Sequence, residues 1–303
     1  MPPADDDPLE GDDLHLALFL CYDLHYRTLP GVDEDLEWNP ELLAFRASLE
    51  RPFLEALLER VAGLPDVGSG PIDARLREVL RLDDGPSLSA YLRREGTVED
   101  YREFLTHRSA YHLMEADPHA WAIPRLPDRA KVALLEIEAD EYGGGDAEWM
   151  HSALFARAMT ALGLDPTIGR YLDRLPGSTL ATVNLMSFLG LHRRWRGAIV
   201  GHLAAFEMTS CVPNRRYGDG MRRLGFGPDA LAYFDEHVEA DAVHEAVAAN
   251  DLAGSLVAAE PELEDDVLFG ARALCVVEAT FAERLIAAWR AGRSSLLEPP
   301  IAA

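Results

Sequence analysis

His237, Asp241 and His244 stand at offsets of four and seven within Tyr233-Phe-Asp-Glu-His-Val-Glu-Ala-Asp-Ala-Val-His244. At about 100° per residue these offsets return to nearly one direction, so a helix would carry all three on one face. Two imidazoles and a carboxylate converging there make part of a metal site of borderline-to-hard character, suited to iron or manganese. The same register also arises by chance on an exposed acidic helix, for the chain holds 52 Asp+Glu and 10 His.

A second group lies in Glu141-Tyr-Gly-Gly-Gly-Asp-Ala-Glu-Trp-Met-His151. Glu141 ends one expected helix and His151 sits in the first turns of the next, and the glycine break lets the two approach and aim ligands at one centre. Glu148-x-x-His151 has the spacing used by carboxylate-bridged di-iron bundles, although a first-turn acid favoured by the helix dipole is the simpler account of Glu148. Glu207, in Leu203-Ala-Ala-Phe-Glu-Met208, is the last acid of an apolar helix expected from Leu180 onward. A carboxylate is unwelcome at a helix C-terminus, so a compensating cation would account for it. Glu278, isolated in Leu274-Cys-Val-Val-Glu-Ala-Thr-Phe281, reads as a hydrogen-bond partner of a ligand or, more simply, as a satisfied core acid.

The elements that must position these groups are helices. Val, Ile and Thr never alternate convincingly, whereas Ala, Leu, Glu and Arg fill long segments at helical spacing. Helices are expected near 11–27, 39–63, 72–83, 86–95, 97–116, 127–142, 146–162, 179–209, 228–248 and 262–291. Thr97-Val-Glu-Asp100 has the form of a capping box. Pro127 and Pro228 suit first-turn positions, the three glycines stop one helix before Asp146 opens the next, and Ser178 or Thr179 is placed to cap the long helix. The fold class is all-α. Residues 1–96 read as an acidic leader and an N-terminal helical layer, 97–292 as a helical bundle, and 293–303 as a C-terminal tail.

The order Glu…His…Glu…His-x3-Asp-x2-His resembles the haem-oxygenase-like di-iron oxidases and oxygenases, the iron-containing redox enzymes. Asp140-Glu-Tyr-Gly-Gly-Gly…Met-His151 is typical of that group, as is Phe206-Glu207 some thirty residues before His237. The resemblance covers roughly Thr97 to Trp289 and implies a haem-oxygenase-like bundle. It implies Glu141, His151 and His244 around one iron, Glu207 bridging, and His237 with Asp241 on the other. Nitrogen-oxygenating members carry a further carboxylate one helix earlier. Glu115, in Tyr111-His-Leu-Met-Glu-Ala-Asp117, has the matching spacing and reads equally as a polar residue at a helix end. No β-barrel domain of the kind that the best-known N-oxygenating relative carries is expected after the bundle. The resemblance implies two Fe as cofactor and dioxygen as co-substrate, two ferrous ions delivering two electrons together. Bridging Glu207 would keep the irons about 3.5–4 Å apart.

Composition bounds the alternatives. With 48% hydrophobic and 26% charged residues the chain is an ordinary globular protein. Its 28 Lys+Arg against 52 Asp+Glu leave a net charge of −24, which repels phosphate backbones and acidic membranes alike. Cys21, Cys211 and Cys275 are odd in number and scattered, favouring a reducing, cytoplasmic setting over a disulfide framework. Neither nucleic acid nor membrane is expected as a partner. A small-molecule substrate and an external electron donor are, and a homodimer is left open. His112, Trp121, Tyr142, Trp149, Phe188 and Arg193 are candidates for a substrate pocket. The expected reaction is N-oxygenation of an amine or guanidine if Glu115 is a ligand. Otherwise it is desaturation or C–C cleavage of an amino or fatty acid. The rivals are a metal-free hydrolase or cofactor-assembly enzyme using Cys211 with Glu207, a non-catalytic iron-binding protein, and a haem enzyme for which only His15 and His25 could serve.

Overall fold

A computed structural model describes residues 7–298, apart from the side chains of residues 241 and 242. Four helices lead: α1 (Asp12–Asp23), α2 (Pro40–Ala62), α3 (Ile72–Leu82) and α4 (Leu88–Arg94). Then come α5 (Val98–His112), the short α6 (Asp117–Ala120), α7 (Asp128–Glu141), α8 (His151–Ala161), α9 (Gly177–Leu191) and α10 (Arg196–Arg223). α11 (Pro228–Ala246) runs on as a π-helix (Val247–Gly254), followed by α12 (Ser255–Ala259) and α13 (Glu264–Arg290). No strand occurs among the described residues, and none of their helices is long and apolar enough to cross a membrane.

Local chemistry sets several of these boundaries. Thr97 and Asp100 close the expected capping box, each side chain accepting a hydrogen bond from the other's backbone N–H at 3.1 and 2.8 Å. Asn39 caps α2 in the same way through Glu41 and Leu42. α9 is buried from Gly177 to Gly190, the mark of a central helix surrounded by others. Its first N–H is capped not by Ser178 or Thr179, as expected, but by the Asp12 carboxylate of α1, 2.6 Å from Gly177 N.

Four further expectations are corrected. The segment 179–209 is not one helix. His192 leaves α9 with extended backbone, its Nδ1 2.9 Å from the Phe188 carbonyl, and α-helix resumes only at Arg196, after a 3-10 turn at Arg193–Trp195. α10 then continues through Pro213 to Arg223, so Glu207 lies mid-helix and the argument from the helix C-terminus does not apply to it. The helix expected from Asp146 starts at His151, because Gly143, Gly144 and Gly145 all have positive φ and spend the intervening residues on a tight loop. Pro127 sits just before α7, whereas Pro228 does open α11.

The N-terminal layer shares its core with the bundle: Leu14, Phe53 and Leu76 belong to one apolar cluster with Leu185, Ile199 and Leu274. α10 and α13 cross at their backbones. A Cβ on Gly201 would lie 1.8 Å from the Val267 carbonyl oxygen, and one on Gly270 would lie 1.8 Å from that of Ala198. Both obstacles are backbone, so no side chain can swing aside. Gly270→Ala is expected to destabilise the protein by about 3 kcal/mol, the upper range for overpacking, read as a lowered midpoint in urea unfolding. An unchanged midpoint would show that the crossing has slack.

Candidate metal centre and the cavity beside it

Five helices and one turn deliver the site. α5 ends at His112, and Glu115 follows in a turn closed by Ala116, the one non-glycine among the described residues with positive φ (78°). α7 ends in Glu138, Asp140 and Glu141, and α8 opens with His151. The middle of α10 supplies Glu207, and one face of α11 supplies Tyr233, His237 and His244. Asp241 occupies that helix one turn before Glu245, and its side chain is outside the described residues.

Donor atoms of Glu115, Glu141, His151 and His237 lie within 4.8 Å of one another, and so do those of Glu141, Glu207 and His244. Six of the seven expected ligands are thus brought together, none more than 9% exposed. The grouping differs from the one the resemblance implies. His237 stands with His151, their rings 4.3 Å apart, while His244 stands with Glu207, and Glu141 is common to both sets. Glu148 is exposed ahead of α8 and belongs to neither set.

Two of the three imidazoles are oriented by their other nitrogen, as metal-bound histidines are. His237 Nδ1 lies 2.8 Å from the Tyr233 carbonyl, which leaves Nε2 facing Glu115 at 3.8 Å. His244 Nε2 lies 2.9 Å from Asp140 Oδ2, with Nδ1 turned to Glu207 Oε2 at 3.4 Å. His151 Nδ1 sits 2.8 Å from Glu141 Oε2. Glu115 is clamped: the Tyr233 hydroxyl donates to its carboxylate at 2.9 Å and His112 Nδ1 lies 2.8 Å away.

Whether these residues suit a metal can be tested on their unmet bonds. Among the described residues, Glu141 Oε2, Glu207 Oε2 and His151 Nδ1 are buried near potential partners yet make no hydrogen bond. Buried polar atoms are rarely left so, and donors aimed at a shared centre rather than at one another have this geometry. The chamber that Glu115, Glu141, Glu207 and His237 line has a volume of about 10 Å³, room for one water-sized sphere. The imidazole and carboxylate set fits iron.

The electrostatics carry the same message. Burial raises Glu207, with Glu141 adding to the effect. Burial works against the charged forms of Glu115 and His151 as well. It is outweighed for Glu115 by His112 and His237, which hold it well below the usual range, and for His151 by Glu141, which raises it. His244 is raised to about 9, burial notwithstanding, by Glu207 and Asp140.

Beside the chamber lies a cavity of about 190 Å³, sharing Phe206, Ser210 and His237 with it. Of the substrate-pocket candidates only His112 lines it. Trp149 and Arg193 are exposed, Phe188 is core, and Tyr142 hydrogen-bonds Asp117. Glu278 is neither a core acid nor a partner of a ligand. It lines this cavity, paired with Arg108. Cys211 faces the Val238 carbonyl at 3.8 Å and lines neither space. His15 and His25 are engaged in the N-terminal layer, by Pro8 and Asn184 and by Glu37 and Arg46.

Sequence reading passed over Tyr233, Asp140 and Glu138. The first two precede His237 and Glu141 by four and one positions, and Glu138 shares a face of α7 with Glu141 at i, i+3. His119 and His202, buried 3.2 Å apart, form a further unforeseen polar pair, with His119 on the chamber wall.

Residues 102–279 match the iron-containing redox enzymes, and the chain belongs to this haem-oxygenase-like family. Over 159 residues, 52% of the chain, it is 30% identical to a nitrosourea synthase of Streptomyces achromogenes subsp. streptozoticus. The matched stretch spans only 34% of that relative's length.

Burial, then Glu141, Asp117 and Glu207, push Glu138 up to about 9, so the metal-free native chain holds a proton there that the unfolded chain loses above its ordinary value of 4.5. His244 behaves alike between 6.5 and about 9. Native protein binding more protons than unfolded makes stability fall as pH rises. Metal-free protein is therefore expected to lose stability steadily from pH 6 to 9, and Glu138→Gln to flatten the loss by about 1 kcal/mol per pH unit. Denaturant midpoints across this range check it. A slope unchanged in the variant would mean Glu138 is already ionised.

Proposed function

We propose that the chain is a non-haem di-iron enzyme that uses dioxygen to oxidise a small molecule, and that the reaction is N-oxygenation of an amine or guanidine. The observation that carries this reading is the place of Glu115, buried among the donor atoms of Glu141, His151 and His237. This is the additional carboxylate that separates nitrogen-oxygenating members in the resemblance above. The name of the nitrosourea synthase, which specifies an N-nitroso and hence oxidised nitrogen, agrees with it.

In this reading Glu115, Glu141, His151 and His237 would hold one ion, and Glu141, Glu207 and His244 the second. Bound ferrous ions would supply two electrons together to dioxygen, and an external donor would restore them. The protein's own part follows from its contacts. Three buried carboxylates, Glu115, Glu141 and Glu207, offset most of the charge of two divalent ions. Tyr233 and His112 fix the Glu115 carboxylate, the Tyr233 carbonyl sets the His237 ring, and Asp140 sets that of His244. A chamber this small keeps bulk water from the donors, and the neighbouring cavity brings substrate to His237. The hydrolase alternative finds no support in Cys211, which opens on neither space.

The test is an assay of ferrous-loaded protein with oxygen, a reductant and a panel of alkylamines and alkylguanidines. The expected result is oxygen-dependent N-hydroxylated product, reduced at least about tenfold by Glu115→Ala, a change of barrier near 1.4 kcal/mol. Unchanged iron content and activity in that variant would remove Glu115 from the site, whereas no N-hydroxylated product from the unaltered chain would favour desaturation or C–C cleavage.

A further inference from the structure

Three spaces follow one another through the protein. The metal chamber and the aromatic cavity share Phe206, Ser210 and His237. On its far side the cavity shares Asp83 and Cys275 with a surface pocket of about 220 Å³, walled by the α2 end at Arg60 and Leu64 and by α13 at Arg272 and Glu283. Pocket, cavity and chamber are thus neighbours, each sharing lining residues with the next, and Asp83 with Cys275 lies between pocket and cavity.

The middle cavity has a distinct chemistry. Its walls are the rings of Phe104, Phe155, Phe206, Tyr217, Tyr233 and Phe234. Its charged lining is Arg108, Glu278 and Asp83. Arg108 and Glu278 cancel through two hydrogen bonds of 2.8 and 2.6 Å, with the guanidinium stacked 4.4 Å from the Phe281 ring centre. Asp83 makes no ion pair among the described residues; its Oδ1 accepts only the Gly85 N–H at 3.0 Å. In the outer pocket Asp84 and Glu283 face Arg60 and Arg272, and these two cations are engaged by Asp7 and by the Pro65 carbonyl. Asp83, Asp84 and Glu283 thus outnumber the two arginines of the outer pocket, within a chain of net charge −24.

We propose that the aromatic cavity is the substrate site, that it selects a small organic cation, and that the substrate reaches it past Asp83 and Cys275. Aromatic faces attract ammonium and guanidinium groups, and an unbalanced carboxylate at the mouth of an acidic protein raises the local concentration of cations. A carboxylate substrate of equal size meets the reverse: its natural anchor, Arg108, is already taken, and Asp83 repels it. The substrate class deepens the N-oxygenation reading and rests on it for the reaction, but not for binding.

The two are separated by measuring binding without turnover. Calorimetry on the full metal-free chain, with n-butylguanidinium and pentanoate as probes of matched length and opposite charge, is expected to show the cation at least tenfold tighter. Cys275→Trp, which fills the junction, should weaken the cation tenfold or more. Asp83→Asn, at an exposed position that leaves the core untouched, should weaken it severalfold. Both variants should load iron to the same level as the unaltered chain. Pentanoate binding as tightly as the cation, or cation affinity unchanged in both variants, would overturn the proposal. Selective cation binding with no N-oxygenated product would instead sink the reaction while leaving the cavity assignment standing.

Discussion

Glu115, Glu141 and Glu207 face His151, His237 and His244 inside a helical core, out of contact with bulk water. Taking a single carboxylate out of water costs several kcal/mol even after the surroundings relax, and attraction to a partner returns this only when geometry is good. Here the imidazoles return part of it. Glu115 is satisfied by Tyr233, His112 and His237, and His244 is held by Asp140, but Glu141 Oε2 and Glu207 Oε2 stay without hydrogen bonds among the described residues. Protons settle on Glu138 and His244 to reduce the remaining charge. Divalent cations at the same place would do so more completely.

The backbone devices nearest the site all serve that convergence. Gly201 and Gly270 let α10 and α13 meet at backbone distance, which fixes the helix carrying Glu207 against the far wall of the bundle. The glycine loop turns the chain between Glu141 and His151, so that the last residue of α7 faces the first residue of α8. Ala116, held at positive φ, turns the chain just after Glu115. Strain of this kind persists where surrounding structure enforces it, and functional sites are where it collects. Tyr233 joins the pieces, its hydroxyl on Glu115 and its carbonyl on His237.

What the sequence made legible follows from which features are local. The direction shared by His237 and His244 is a property of helical spacing alone, and the all-α fold follows from the same periodicity. Glu207 was legible as a residue, but through a wrong premise, since α10 continues for sixteen residues beyond it. The break at His192 left no mark because a histidine on the Phe188 carbonyl makes it, in a run where neither the flanking apolar residues nor a proline announce a stop. Tyr233 and Asp140 were illegible for a different reason. Their roles come from partners far away in the chain, as with Tyr233 and Glu115, 118 positions apart. The cavity's Arg108–Glu278 pair spans 170 positions and was hidden likewise, so that Glu278 looked like an isolated core acid.

The central claim is that these buried donors exist to hold two metal ions, and counting the ions tests it most directly. Ferrous iron titrated into the full chain under reducing, oxygen-free conditions should bind at about two per chain, the number a two-metal site requires, and His244→Ala should lower the count. A folded chain that takes up no iron would contradict the account, leaving the acids and histidines of the core to be explained by hydrogen bonding alone.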